Sequence, residues 1–239
     1  MKVYGLIGKK LDHSFSLKFF NEKFKKEKIS NVIYRNFEIN YVEDFKQIIN
    51  QANIYGLNVT IPYKQTIIPY LDALCPEARK VNSVNTIKIY ENKLIGYNTD
   101  IIGFEHSINT LKKYKKAIIL GNGGSSQAVQ YVLDKLNKEF IVISRNSKYN
   151  YAYIDFNLLK THKLIINTTP LGMFPKIEKY PNIPYQYIDS SHYLYDLIYN
   201  PPTTKFLKEG IKRGSNTKNG LDMLKKQAEA SWNIWNTQK

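Results

Sequence analysis

Ala117-Ile-Ile-Leu120-Gly-Asn-Gly-Gly-Ser-Ser126 runs a short, unbroken apolar segment into a glycine-rich turn. Four apolar residues in a row suit a parallel strand covered on both faces. A helical pattern over residues 128–136 follows the turn. Glycines at such a junction permit a tight bend and let backbone N–H groups approach a pyrophosphate at the helix start. A glycine loop alone carries little weight. Set between a strand and a helix, with another strand beyond, it reads as a nucleotide loop.

The next strand, over residues 140–143, ends in Ser144-Arg145-Asn146, roughly 20 residues further on. Chains that prefer NAD usually carry an acidic residue there, to accept hydrogen bonds from the ribose 2′-hydroxyl. Here Arg145 can instead pair with a 2′-phosphate in bidentate fashion. Further apolar runs at 164–166 and 193–198, mostly separated by helix-length segments, complete the pattern of a doubly wound sheet.

Upstream, strands are predicted at 2–7, 32–37 and 55–60, with a hairpin of 83–90 and 93–97 around Glu91-Asn92. Phe19, Phe20 and Phe24 mark a helix over 15–26. Shorter helices are expected at 42–51 and 64–71, and another over 101–113. Leu224, Ala228, Ser231 and Trp235 lie near one face of a last helix, 221–235. The fold class is therefore α/β in two domains. Residues 1–100 form an N-terminal α/β substrate domain, with the C-terminal helix, 219–239, packing back on it. Residues 101–218 form the Rossmann-like nucleotide domain. Gly103 and Gly220 stand near the crossings and are hinge candidates.

The chain has 239 residues, 43% of them hydrophobic, which is ample for a buried core. No apolar run reaches the length that crosses a bilayer, and the first residues lead straight into a strand without a signal-peptide pattern. One cysteine, Cys75, excludes an internal disulfide and fits the cytoplasm. His13, His106, His162 and His192 show no metal-ligand spacing, so no metal is expected. The net charge is +15, yet the lysines are scattered. A solvated basic surface is favoured over a nucleic-acid site, and its field favours a phosphorylated cofactor and an acidic substrate.

Gly56-Leu-Asn-Val-Thr-Ile-Pro-Tyr-Lys64 carries the chemistry. It is a strand that delivers Asn58, Thr60 and Lys64 at its end. A lysine there can give up a proton or polarise a carbonyl. Asn85-Thr86 and Asn98-Thr99-Asp100 follow on later segments. Amides and hydroxyls that can hold a polyol, one lysine, one aspartate and a dinucleotide loop point to hydride transfer on a small hydroxylated substrate.

At these residues the chain resembles the shikimate dehydrogenase family. Gly5-Leu-Ile-Gly8 with His13-Ser14-Phe15-Ser16 is similar to the family's first substrate motif, and residues 58–64 match its signature. Val84-Asn85-Thr86, Asn98-Thr99-Asp100, the 121–126 loop and Ser144-Arg145-Asn146 follow in order. Asn167-Thr-Thr-Pro-Leu-Gly-Met173, Asp196-Leu-Ile-Tyr199-Asn-Pro201 and Gly220-Leu-Asp-Met223 with Gln227 complete the series. Departures from the pattern are Lys9-Lys10, Asn82-Ser83 in place of a usual Gly-Ala pair, Asn122, Ser144 and a short chain. They bear on loop geometry more than on the reaction.

The resemblance implies reversible NADPH-dependent reduction of 3-dehydroshikimate to shikimate, in aromatic amino-acid biosynthesis. It implies Lys64 and Asp100 as catalytic residues, with Asp100 orienting Lys64 and either group moving the proton. Substrate contacts fall to Ser14, Ser16, Asn58, Thr60, Lys64, Asn85, Asp100, Tyr199 and Gln227. NADP falls to Gly121, Asn122, Gly123, Gly124, Ser125, Ser144, Arg145, Asn146, Thr168, Met173, Leu197, Gly220 and Met223. Ser14 and Ser16 can both reach one carboxylate if their segment is extended; the alternative is a helix cap. His13 reads as structural. The expected partner is the small-molecule substrate, without nucleic acid or membrane, as monomer or homodimer. Two alternatives stay open at this level. One is a quinate/shikimate dehydrogenase using NAD or NADP. The other is a non-catalytic basic Rossmann-type binding protein.

Overall fold

A computed structural model describes residues 1–12 and 14–237. The chain separates into two units, Met1–Thr99 with Gln227–Lys239, and Asp100–Lys226. His13 lies outside the described residues.

Unit 1 holds β1 (Lys2–Gly8), α1 (Phe15–Lys26), β2 (Val32–Glu38), α2 (Phe45–Ile49), β3 (Ile54–Val59), β4 (Ala73–Leu74), α3 (Pro76–Val81), β5 (Thr86–Tyr90) and β6 (Lys93–Tyr97). They form a six-stranded sheet in the order β2-β1-β3-β5-β6-β4. β1 pairs parallel with β2 and β3, and β5 turns the sheet antiparallel. Both faces are covered. Ile7, Phe45, Leu57, Ile67 and Ile87 fill one side. Tyr4, Phe20, Phe24, Tyr34 and Trp235 fill the other. The Phe20 and Tyr34 rings stack with centroids 4.4 Å apart.

One local expectation is met in part and a second fails. The helix expected over 42–51 is a 3-10 turn, Val42–Asp44, followed by only five helical residues. That expected over 64–71 is a run of turns ending in the 3-10 turn Ile68–Tyr70. Pro69 explains the second, because it has no N–H to give to the preceding turn. The chain there uses short bonds instead, Ile68 N to Gln65 O and Tyr70 N to Ile67 O.

The Asn82-Ser83 departure has two distinct consequences. Asn82 caps α3 with a left-handed φ of 46°, the conformation that glycine takes most readily and asparagine tolerates. Ser83 is wholly buried, and its hydroxyl finds no hydrogen-bond partner among the described residues. Ser83→Ala should therefore stabilise the fold by about 1 kcal/mol, since an unsatisfied buried hydroxyl costs more than its removal. A melting scan should show a rise of about 2–4 °C; a lower midpoint would mean the hydroxyl is satisfied.

Unit 2 begins within α4 (Thr99–Ile108). It continues through β7 (Lys116–Leu120), α5 (Gly124–Lys135), β8 (Glu139–Ile143), α6 (Phe156–Thr161), β9 (Leu164–Asn167), β10 (Tyr193–Asp196), α7 (Lys205–Ile211) and β11 (Asn216–Lys218), and ends within α8 (Leu221–Asn236). The five strands are all parallel, in the order β11-β10-β9-β7-β8. Counted within the unit, the first strand lies between the second and third, so the winding reverses between β7 and β9. Ligands of such sheets bind at that switch point, beyond the carboxyl ends of the strands. Residues 117–120 are 0% exposed, as a strand covered on both faces requires. The β9-to-β10 crossover contains, among the described residues, a single 3-10 turn, Tyr185–Tyr187, and no α-helix. Pro170, Pro175, Pro181 and Pro184 fall in that stretch and interrupt any helical ladder.

Candidate functional site

In unit 1 the candidate substrate residues are Ser14 and Ser16 at the start of α1, Asn58 and Thr60 at the end of β3, Lys64 in the turn beyond it, Asn85 just before β5, and Gln227 in α8. Ser14 is the N-cap of α1, and its Oγ accepts from Leu17 N at 3.3 Å. Ser16 lies one turn-step inside the helix and is 8% exposed. The segment is thus a helix start, not the extended strand on which a shared reach was expected. The cap does not exhaust Ser14, because a hydroxyl that accepts from an N–H still has its own hydrogen to donate. A helix N-terminus also favours a negative partner. Lys9 and Lys10 precede a firmly held residue: Leu11 N donates to Glu38 Oε1 and Leu11 O accepts from Asn36 Nδ2.

Asn58 is spent on the scaffold. Its Oδ1 accepts from Tyr34 Oη at 2.8 Å, and its Nδ2 donates to Ser231 Oγ at 2.9 Å and to Thr86 Oγ1 and Asn85 O at 3.2 Å. Both ends of the amide are occupied and the residue is 4% exposed. Asn58 is thus joined on both sides of its amide to Tyr34, Asn85, Thr86 and Ser231. Burial pushes the Tyr34 phenol well above its usual range, and a hydrogen bond with Ser16 pulls the other way. A polar chain thus runs from Ser16 through Tyr34 and Asn58 to Ser231.

The same network holds Asn85 and Gln227. Asn85 Nδ2 donates to Thr99 Oγ1 at 3.0 Å and to Gln227 Oε1 at 3.3 Å, while Asn85 Oδ1 accepts from Thr99 N at 2.7 Å. Thr99 Oγ1 also lies 3.1 Å from Ser231 Oγ. Tyr34, Thr86, Thr99 and Ser231 are the members that sequence reasoning left without a role. Thr60 follows β3, and its N donates to Ile7 O. Lys64 is half-buried in the next turn, where its carbonyl accepts from Val84 N at 2.7 Å. The backbone that carries the lysine is thereby tied to the strip that carries Asn85.

In unit 2, Asp100 is 5% exposed and stands in the first turn of α4, where the helix dipole favours a carboxylate. Tyr199 is half-buried after β10. The candidate cofactor residues follow the carboxyl ends of β7, β8, β9 and β10, with Gly220 and Met223 after β11. Gly121 has a φ of 105°, and a Cβ there would meet Thr168 Oγ1 at 2.8 Å. Only glycine takes that turn without strain. Thr168 closes the switch point: its N and Oγ1 both donate to Leu120 O, at 2.9 and 2.7 Å.

Gly123 is the N-cap of α5 and has no side chain to fill the helix end. A Cβ built on it would enter open space, with no described atom within 4 Å. A glycine turn, a helix N-terminus and room above it fit a pyrophosphate. Asn122 Oδ1 is held by Gln127 Nε2 at 2.9 Å, which keeps that side chain along the helix. Gly124 and Ser125 open the first turn of α5.

Ser144, Arg145 and Asn146 form the turn after β8, with Arg145 and Asn146 exposed. Ser147 Oγ braces the turn by donating to Tyr149 O at 2.7 Å. Residues 144–150 contain no Asp or Glu, and Lys148 adds a second exposed cation that the sequence reading passed over. Met173 is 39% exposed and Met223 is 6% exposed, so Met223 serves packing as well. Gly220 stands where two backbones come close. Its N donates to Ile198 O, and a Cβ would collide with Leu197 O. Its smallness lets two backbones approach.

Asp196, quoted in the sequence but given no task, is the most perturbed carboxyl of this unit. It is wholly buried. Burial pushes its pKa up to about 7, against hydrogen bonds from Thr204, Ile198 N and Asn167. The folded state therefore holds this proton more tightly than the unfolded chain does. The stabilisation is fully present below the ordinary carboxylate pKa and is lost as pH rises through about 7. Asp196→Asn should remove that slope. Melting curves of parent and variant between pH 4 and 8 should diverge as pH rises; parallel profiles would show that Asp196 titrates normally.

The comparisons with known proteins agree with this layout. The profile described as the shikimate dehydrogenase substrate binding domain matches residues 6–87. A relative from Clostridium beijerinckii, named shikimate dehydrogenase (NADP(+)), is 42% identical over 98% of this chain and 92% of its own length. Shikimate dehydrogenase 1 from Peptoclostridium difficile has a crystal structure similar to this chain at TM-score 0.86 and 37% identity, covering 100% of this chain and 93% of that one. Shikimate 5-dehydrogenase from Thermus thermophilus, crystallised with NADP(H) and shikimate, gives TM-score 0.86 at 25% identity, covering 99% and 94%.

Proposed function

Because the chain belongs to the shikimate dehydrogenase family, we infer that it is an NADP-dependent oxidoreductase that reversibly reduces 3-dehydroshikimate to shikimate. The reading rests on that full-length similarity in a chain that keeps Lys64 after β3 and Arg145 after β8. The reaction adds a hydride and a proton to a ring carbonyl, and serves chorismate and aromatic amino-acid biosynthesis. One free cysteine, Cys75, supports a cytoplasmic setting.

Unit 1 is the proposed substrate domain, a reading supported by the profile match over residues 6–87. Unit 2 is the proposed NADP domain, supported by the glycine turn at its switch point. Bound NADPH supplies the hydride. The Lys64 ammonium gives its proton to the forming alkoxide, or holds the charge while the proton arrives through another group. Asp100 is the second catalytic assignment and shares in proton transfer. Ser14 and Ser16 meet the substrate carboxylate at the start of α1. Thr60, Asn85, Gln227 and Tyr199 take hydroxyls, and Asn58 keeps Asn85 and Gln227 in place. Gly121, Gly123, Gly124 and Ser125 carry the pyrophosphate. Ser144, Arg145 and Asn146 take the 2′-phosphate, and Thr168, Met173, Leu197, Gly220 and Met223 border the nicotinamide.

Substrate choice is tested by comparing shikimate with quinate at saturating NADP+. Shikimate should lead in kcat/KM by more than about tenfold, since a site shaped to one set of hydroxyls leaves polar groups unpaired with another. Parity would replace the reading with a quinate/shikimate dehydrogenase.

A further inference from the structure

Asn167 ends β9 and Asp196 ends β10, and the two face each other in register. Asn167, Asp196 and Thr204 are each 0% exposed. Asp196 Oδ1 accepts from Asn167 Nδ2 at 3.0 Å and from Ile198 N at 3.0 Å, while Oδ2 accepts from Thr204 Oγ1 at 2.6 Å. Asn167 passes the link on. Its Oδ1 accepts from Thr169 N at 3.0 Å and from Thr169 Oγ1 at 2.6 Å. One carboxylate therefore ties together two loops. The first carries Thr168 and Met173; the second carries Leu197 and Tyr199 and ends at Thr204, the N-cap of α7. Phe174 N, donating to Asn200 O at 3.1 Å, joins the same loops a second time. Through Ile198, whose carbonyl accepts from Gly220 N, the link extends to the start of α8.

We propose that Asp196 is a positioning residue that sets the nicotinamide side of the site by clamping the loop after β9 to the loop after β10. The proposal rests on the NADP assignment of those loops given above. Asp196 is buried beneath the ligand-binding edge, so it acts only through the residues it holds. Hydride transfer is steep in distance, and a displacement of 1 Å costs about 100-fold. A carboxylate that fixes both loops at once is a direct way to hold that distance.

Asp196→Leu keeps the bulk and removes all three acceptor bonds. It should lower kcat about tenfold and weaken NADP+ severalfold, as a sub-ångström shift would, with a smaller rise in the KM for shikimate, which the loop reaches only through Tyr199. Asp196→Asn should recover the parent values. Its oxygen can accept from Asn167 and Ile198, and its amide can donate to Thr204. Thr204→Val and Thr204→Ser repeat the comparison with the carboxylate intact, and decide the matter where Asp196→Leu does not fold. Parent-like kinetics in a folded Asp196→Leu or Thr204→Val variant would overturn the proposal. So would an equal loss in Asp196→Asn, or a loss that falls on shikimate while NADP+ affinity stays at the parent value. Calorimetric NADP+ affinities of the same variants read the clamp without turnover. They keep its failure distinct from a failure of the enzyme assignment, which would show as an inactive parent that still binds NADP+.

Discussion

Replacing Lys64 by alanine should cut turnover by about 10²–10⁴-fold, the range for loss of a general acid or base. Shikimate binding should change far less. Several other groups hold the substrate in the proposed site, among them Ser14, Ser16, Thr60, Asn85 and Gln227. The lysine's carbonyl accepts from Val84 N, and alanine keeps that bond. A lost proton donor lowers kcat and kcat/KM together, whereas a lost binding group raises KM alone. A Lys64→Ala enzyme with kcat within about threefold of the parent would remove Lys64 from the catalytic assignment.

Arg145→Ala should weaken NADPH by about 1.5–3 kcal/mol, the worth of a charge-assisted bidentate contact. That is roughly 10–150-fold in KM. NADH lacks the 2′-phosphate and should be nearly unaffected. The turn after β8 has no carboxylate to repel that phosphate, and its exposed Lys148 supports the same sign of charge. Adding Lys148→Ala should deepen the NADPH loss further. Equal losses for NADPH and NADH would show that Arg145 acts on the fold or on the shared pyrophosphate.

Where the chain repeats a clear period, the sequence was legible. Three phenylalanines at helical spacing bound α1 at Phe15–Lys26, and the hairpin turn places Glu91 and Asn92 at φ of 49° and 60°. Unbroken apolar runs marked β7, β8, β9 and β10 because both faces of that sheet are covered. The failures have local causes. Pro69 stops the helix after Lys64, and four prolines empty the crossover before β10. The edge strands β4 and β11 have two and three residues, too few to show a period.

The site divides in the same way. Glycine and arginine stretches announce themselves, since their chemistry follows from neighbours in sequence. The polar network does not, because Asn58 and Ser231 meet across 173 positions. The four partners of Asn58 come from three other segments of the chain, which no local pattern displays. Asp196 is the converse case. Its neighbours in sequence are apolar, and only the register of β9 against β10 shows what it holds.

The most direct measurement of the reaction is steady-state oxidation of shikimate by the purified chain, with NADP+ and NAD+ in parallel, followed at the nicotinamide absorbance. Reduced cofactor should form with both reactants present, with kcat/KM for NADP+ at least about tenfold above that for NAD+. An absence of reduced cofactor, from a folded protein that binds both molecules, would contradict the account.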